Sequence, residues 1–259
     1  MTGGWPEDQD ERNERTRCRY FLKDSIRKEF DFSKADQNLG LPPPPIQKPS
    51  KEGAMTFQLP LLDDWSAVCK ASLAEVIKKR RSRRTFTDEE LSLEELSFLL
   101  WATQGIKNIR QPYLRTSPSA GARHSFETYL SVGNTAGLEN GLYRYLPLDH
   151  SLVLVRKQED ILSRTADACF GQSFIGTASV VFIWTAVPYR MEWRYGAAAH
   201  KVIAIDSGHV CQNLYLASEG IGCGTCGIGA YDQDMADELI EVEGEDEFVI
   251  YIAPVGRIG

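Results

Sequence analysis

The chain has 259 residues, of which 42% are hydrophobic and 25% charged, the proportions of an ordinary globular protein with ample material for a core. Its formal net charge of -7, from 29 Lys+Arg against 36 Asp+Glu, excludes the broad basic surface that nucleic acid or an anionic membrane needs, so any anion site is local. No run is long and apolar enough to span a bilayer and the N-terminus has no signal-peptide core, so a cytoplasmic protein is expected, and the six scattered cysteines do not read as a disulfide framework.

Residues 1–70 read as an N-terminal extension. Its opening is dense in Glu, Asp and Arg, and Pro42 to Pro45 form a run that favours extended polyproline geometry, so the segment is expected to act as an arm and linker. Between Arg12 and Phe32, the residues Tyr20, Phe21, Ile26, Phe30 and Phe32 are apolar enough to dock on something, a second subunit included; a disordered tail is the alternative. Phe57, Leu59, Leu61 and Leu62 suggest a short extended piece.

The domain proper is expected over 71–259. Ser72 and Glu75 make a capping box, followed by an apolar face of Leu73, Val76 and Ile77, so a short helix leads into Arg80–Phe86, RRSRRTF. Arg80, Arg81, Ser82 and Arg84 place planar guanidinium forks around a hydroxyl, a donor set that suits phosphate oxygens. A solvated basic patch at the helix's negative end is the plainer alternative. Ser92 and Glu95 form a second capping box, with Leu93, Leu96, Leu99, Leu100 and Ala102 carrying a helix that Gly105 ends.

Next, Pro118, Ser119, Ala120 and Gly121 form a small-residue loop that lets a flat ligand approach the backbone, and it runs into a strand from Phe126 to Val132. A hairpin follows, Leu142 to Leu146 and Leu152 to Val155. Glu159 to Phe170 reads as a helix, Ala178 to Val187 as a buried strand, and Ala197 to Gly220 as a long helix, apolar nearly all round. Asp206, His209 and Asn213 line one side of it; a hydrogen-bonded network is expected there rather than a metal site, since no His pair or HExxH pattern occurs. Then come the glycine-rich run from Gly220 to Ala230, a helix over Asp232 to Ile240, a strand over Phe248 to Pro254, and Arg257. Cys223 and Cys226 make a CxxC that could be a redox dithiol or half a metal site, or simply small side chains packing under the loop.

Arg80, Ser82, Arg84 and Phe86, then Pro118-Ser119-Ala120-Gly121, the helix through His209, Gly227 to Ala230 and finally Arg257 occur in an order that resembles the flavin-dependent nitroreductase superfamily over 71–259. PSAGAR, IDSGHVCQNLYLASE and PVGR are most similar to its SagB-type, azoline-dehydrogenase branch. The resemblance implies an α+β fold with a central, mainly antiparallel sheet flanked by helices, built as an intertwined homodimer with FMN at each interface. It implies that Arg80, Arg81, Ser82 and Arg84, with Arg257, hold the ribityl phosphate, that Pro118, Ser119, Ala120 and Gly121 reach over from the partner subunit, that Gly227, Ile228, Gly229 and Ala230 offer backbone N–H groups near the flavin N5, and that Gln172 makes a polar flavin contact.

Azoline dehydrogenases carry a Lys-Tyr pair before the long helix; the matching residues here are Arg194 and Tyr195. Arginine steadies an anion but is a poor general base, whereas Tyr195 can act as acid or base. Two substrate routes follow: nitroaromatic or quinone reduction with NAD(P)H as a transient donor, or dehydrogenation of a heterocycle in a modified peptide. The alternative from another class is a non-catalytic flavin-binding scaffold for a partner enzyme.

Overall fold

Alternation decides which side chains reach which layer. Val180, Phe182, Trp184 and Ala186 on β7 (Val180–Ala186) enter one apolar cluster, while Val181 and Ile183 enter a second on the opposite face. A strand buried on both faces needs cover on both, and the computed structural model, which describes residues 9–108 and 113–259, supplies it with helices. Residues 1–8, the start of the charged N-terminal stretch, lie outside the described residues.

The strands β1 (Thr56–Gln58), β4 (Phe126–Val132), β5 (Gly141–Leu146), β6 (Ser151–Lys157), β7, β8 (Cys223–Thr225) and β9 (Phe248–Arg257) form one sheet in the order β1-β6-β5-β4-β7-β9-β8. Every neighbouring pair is antiparallel. A separate ribbon joins β2 (Ile106–Asn108) to β3 (Leu114–Arg115). The last strand runs past Pro254 because β8 pairs with its end, Cys223 opposite Arg257 and Thr225 opposite Val255. On one face lie α3 (Leu73–Lys79), α4 (Leu93–Gln104) and α7 (Ala199–Gly220); on the other lie α5 (Ile161–Ala168) and α8 (Gln233–Leu239). This is the α+β architecture expected, a central antiparallel sheet flanked by helices.

Both capping boxes form. Glu75 N–H donates to Ser72 Oγ at 3.3 Å and Ser72 N–H to Glu75 Oε2 at 3.1 Å; the Ser92–Glu95 pair repeats this at 3.2 and 2.9 Å. The face expected to be apolar on α3 is only partly used: Val76 is buried, while Leu73 and Ile77 point to solvent at 66% and 59% exposure. The long helix forms as one element, α7, close to its expected bounds of Ala197 to Gly220. A helix not read from the sequence, α6 (Tyr189–Tyr195), ends at Gly196, whose φ of +49° breaks the run before α7 begins.

The N-terminal residues include α1 (Gln9–Leu22), whose described side chains are exposed, and the helical turn α2 (Ile26–Glu29). Beyond them the chain lies along the domain. Gln37 N–H donates to Trp193 O at 2.8 Å and Trp193 Nε1 to Leu41 O at 3.0 Å. Arg115 donates to Ile46 O at 2.8 Å, and Arg144 donates to Lys48 O at 2.7 Å and Pro49 O at 3.0 Å. Both arginines are buried, and each places part of its hydrogen bonding on carbonyls that a proline-rich segment, short of N–H donors, leaves free. Lys48 N–H completes the clasp on Glu127 at 2.7 Å, and β1 extends the sheet edge along β6.

Candidate functional site

Two clusters hold the expected site residues. The first begins where α3 ends. Arg83 N–H donates to Thr225 O at 2.9 Å and Thr87 N–H to Arg257 O at 2.9 Å, so the segment between runs extended along the ends of β8 and β9. Extended residues alternate in direction. Arg83 therefore turns inward and pairs with the buried Glu219 at 2.8 Å, a structural role. Ser82 and Arg84 turn outward. Arg80 lies over the Tyr215 ring at 5.3 Å and Arg84 near the Phe174 ring at 6.0 Å. Arg80, Arg81 and Arg84 form no ion pair among the described residues.

Tyr215, on α7, joins this segment to the glycine loop. Its hydroxyl accepts from Gly227 N–H at 2.7 Å and hydrogen-bonds Ser82 Oγ at 3.0 Å. The two glycines differ in kind. A Cβ on Gly227 would meet Tyr251 Oη at 2.5 Å, so packing requires its absence; a Cβ on Gly229 would meet nothing within 4 Å. Ile228 is buried and exchanges two backbone bonds with Ile252. Gly229 and Ala230 are exposed, and their N–H groups have no partner among the described residues. Gln172 Nε2 donates to Cys169 O at 3.0 Å and to Ala230 O at 3.3 Å, which places it beside the loop. Arg257 sits behind the segment, donating to Ile221 O at 2.8 Å and to both Glu95 oxygens at 3.0 and 2.9 Å. Its fork is thus engaged within the chain.

The second cluster lies at the other end of α7. Ala120 N–H donates to Asp206 Oδ2 at 3.1 Å, and Ser119 Oγ accepts from His124 N–H at 2.9 Å. Burial raises the Asp206 carboxyl above its usual range, opposed by its bonds to Ser119 and the Ala120 N–H. Gly121, Ala122 and His124 all take left-handed backbone, at φ +59°, +53° and +49°, a concentration of strain that marks functional loops. A Cβ on Gly121 would stand 2.7 Å from Tyr195 Oη and 2.9 Å from Arg194 Cδ, so the loop and the Arg194-Tyr195 pair are in contact. The remaining members of the polar stripe are Asn213, which donates to Ala102 O at 2.8 Å, and the half-exposed His209, 3.8 Å from Asp206.

Arg80, Arg81, Ser82, Arg84, Gln172, Gly227, Ile228, Gly229, Ala230 and Arg257 thus gather at one place, and Pro118, Ser119, Ala120, Gly121, Arg194 and Tyr195 at another. Asp206 and Tyr215, which hold the two, are nine residues apart, about 14 Å along the helix axis. One chain does not bring them together. Tyr215, Arg83 and Asp206 are the fixing residues; Asp206 stood out in sequence and Arg83 only as a member of the RRSRR run, while Tyr215 sits among Leu214 and Leu216 and reads as core.

Cys223 and Cys226 are buried, and burial pushes the Cys223 thiol up to about 12, the opposite of a reactive dithiol. Cys226 faces the Gly227 carbonyl at 3.8 Å. Among the described residues no group of three or more His, Cys, Asp and Glu side chains is placed to hold a metal ion, and no helix is long and apolar enough to cross a membrane.

Residues 77–257 match the family described as the nitroreductase family. The chain is 34% identical over 203 residues to a Methanocaldococcus jannaschii protein, "Putative nitroreductase MJ1384", covering 78% of this chain and 96% of that one. It is 31% identical over 150 residues to the trifolitoxin-processing protein TfxB of Rhizobium leguminosarum bv. trifolii, covering 51% of this chain and 38% of that one. Among solved structures, a "putative nitroreductase" from Ralstonia eutropha superposes with a TM-score of 0.66 at 27% identity, over 85% of this chain and 99% of that chain.

Proposed function

Because the chain belongs to the nitroreductase family, we propose that it is an FMN-dependent oxidoreductase, working in the cytoplasm as an intertwined homodimer and moving a hydride between flavin and an organic substrate. The carrying observation is the first cluster: three guanidinium groups without an acidic partner among the described residues lie within five residues, tied through Tyr215 to a loop whose exposed Gly229 and Ala230 N–H groups have no partner among those residues either. A phosphate tail suits the cations. A flat ring with a hydrogen-bonding edge suits the bare backbone and the open space at Gly229.

In this assignment Arg80, Arg81, Ser82 and Arg84 hold the phosphate. Arg257, anchored on Glu95, fixes their segment through its carbonyl bond to Thr87. Gly229 and Ala230 donate to the ring edge, and Gln172 holds their loop in place. Bound FMN supplies the two-electron chemistry, accepting or giving a hydride at its N5. Pro118, Ser119, Ala120 and Gly121 approach the partner subunit's flavin, carrying Arg194 and Tyr195 with them. Tyr195, with its hydroxyl beside Gly121, moves a proton to or from the substrate, and Arg194 steadies negative charge there.

The second copy is supported by surfaces that this chain leaves uncovered. On α7, Ala204, Ile205, Gly208 and Gln212 form an exposed stripe, with Ile205 at 47% exposure. A mainly apolar groove of about 420 Å³, lined by Cys69, Leu73, Val76, Trp101 and Leu216, runs beside it. Small residues on a helix let another backbone come close, and the two clusters, whose anchors Asp206 and Tyr215 are about 14 Å apart along α7, then meet across the dimer axis rather than within one chain.

Two electron routes fit. NAD(P)H can visit the flavin face as a transient donor for nitro or quinone reduction; alternatively a heterocycle in a modified peptide is dehydrogenated, as the PSAGAR and IDSGHV runs suggest and as a relative that processes trifolitoxin makes plausible. The test is the visible absorbance of the purified protein, with and without added FMN, before and after anaerobic NADPH. A flavin spectrum that bleaches favours the reductase route, and one that stays oxidised favours dehydrogenation. The Arg80→Ala, Arg84→Ala double variant is expected to lose flavin while staying folded. Wild-type protein that takes up no FMN overturns the assignment.

A further inference from the structure

Beside the second cluster lies a cavity of about 590 Å³ whose roof is Pro43 to Pro45 and whose floor includes Tyr113, Ala122, Arg123, Trp193 and Arg194. Among the described residues its lining contains two guanidinium groups and no carboxylate. Arg123 is held rigidly: Nε donates to Arg190 O at 2.9 Å, and the guanidinium stacks on Trp193 at 4.5 Å. That leaves Nη2 buried without a partner. Arg194 lies over the Tyr195 ring at 5.6 Å and forms no ion pair among the described residues.

Nearby acids are committed elsewhere. Glu127 takes Arg144, Arg190 and the Lys48 N–H; Asp36 takes the Tyr189 hydroxyl; Glu192 takes His200. Burial and the neighbouring Arg194 both lower the Arg123 pKa, so the protein maintains two facing cations against desolvation and repulsion. Nη2 itself is sealed, but two cations lining one cavity with no carboxylate partner among the described residues are costly until an anion arrives to meet them.

We propose that this cavity is the organic-substrate subsite and that Arg123 and Arg194 together bind a carboxylate on that substrate, its apolar body resting against Trp193, Tyr113 and the proline run. The two forks suit the planar, two-oxygen geometry of a carboxylate, and stacking fixes one of them in advance. Gly121 connects the subsite to the chemistry, because its missing Cβ admits Arg194 Nε and Tyr195 Oη on the same side of the loop. The assignment of this cavity to substrate rests on the flavin reading above; the carboxylate binding does not require it.

Calorimetry on the full chain with its cofactor tests it, using 4-nitrobenzoate and its uncharged methyl ester. The acid is expected to bind about tenfold or more tightly than the ester, the size of a charge-assisted contact. Arg194→Gln, at an exposed position, and Arg123→Gln should each abolish that preference, Arg194→Lys should restore part of it, and flavin absorbance and melting midpoint should hold in the Arg194 variants. Equal binding of acid and ester by the wild type overturns the proposal, as does a preference that survives both substitutions. A variant that weakens only NADPH binding also overturns it, by giving the cavity to the nicotinamide's phosphates. Protein that lacks flavin yet keeps an Arg194-dependent preference for the acid sinks the flavin assignment and leaves this one standing.

Discussion

Tyr215→Phe is the sharpest single perturbation of the first cluster. The hydroxyl accepts from Gly227 N–H at 2.7 Å and meets Ser82 Oγ at 3.0 Å. Ser82 is exposed, so water replaces that bond at little cost; Gly227 is half-buried, and its orphaned N–H carries most of the effect. A lost partner of this kind costs about 1–2 kcal/mol. The folded protein should therefore lose roughly 1 kcal/mol, read as a lower urea midpoint at unchanged slope. If the hydroxyl also sets the spacing between the arginine segment and the glycine loop, FMN should bind up to about tenfold more weakly, since a loss of 1.4 kcal/mol corresponds to that factor. Phenylalanine keeps the ring beneath Arg80, whereas Tyr215→Leu removes it and should cost about 0.5–1 kcal/mol more in cofactor affinity. The assays are urea unfolding without FMN and fluorescence titration with it. A Tyr215→Phe protein that loses stability but binds FMN as the wild type does would refute the claim that Tyr215 couples the two loops.

The glycine loop separates packing from function: Gly227→Ala drives a methyl to 2.5 Å from Tyr251 Oη and should destabilise by about 1–3 kcal/mol, whereas Gly229→Ala, with nothing within 4 Å, should leave the melting midpoint unchanged and weaken FMN binding or turnover. Equal midpoints for the two variants would contradict this division. His124 predicts acid sensitivity. It is buried, donates to Tyr113 O at 3.0 Å, and burial followed by the nearby Arg115 lowers its pKa to about 3. The unfolded ring protonates near pH 6.5, so between those values the unfolded state binds more protons and stability falls on acidification, by up to about 1.4 kcal/mol per pH unit. Urea midpoints at pH 7 and 4.5 should drop steeply for the wild type and less for His124→Gln; a wild-type midpoint that is flat across that range would count against a buried neutral ring.

What the sequence made legible was local or periodic. Ser72 and Ser92 announce their helices because a capping box is written within four residues, and Val180 to Ala186 reads as a doubly buried strand because five apolar residues run without a break from Val180 to Trp184. The docking of the extension was not legible. Ile46, Lys48 and Pro49 are held through carbonyl oxygens by Arg115 and Arg144, and a backbone oxygen leaves no mark in the residue code. Nor was the choice among the arginines: Arg83 turns inward to Glu219 and Arg84 outward because the bond from Arg83 N–H to Thr225 O sets the phase of the segment. The apolar stripe on α3 misled for another reason. Leu73 and Ile77 have the correct spacing for a buried face, but nothing among the described residues covers them.

That uncovered face and the split site have one cause in the geometry of α7. A helix of 22 residues is about 33 Å long, and Asp206 and Tyr215 use separate stretches of it as anchors for loops that the proposed chemistry needs together. No rearrangement of short loops such as Pro118–Gly121 closes about 14 Å while Ala120 stays bonded to Asp206. An antiparallel copy of the same helix does so at once, because a two-fold axis between Asp206 and Tyr215 sets the Asp206 end of one subunit beside the Tyr215 end of the other. The small exposed residues Ala204 and Gly208 are then what permits the helices to approach, and larger side chains there should weaken dimerisation and flavin retention together. Each complete site would take its phosphate cradle from one subunit and its Arg123, Arg194 and Tyr195 from the other.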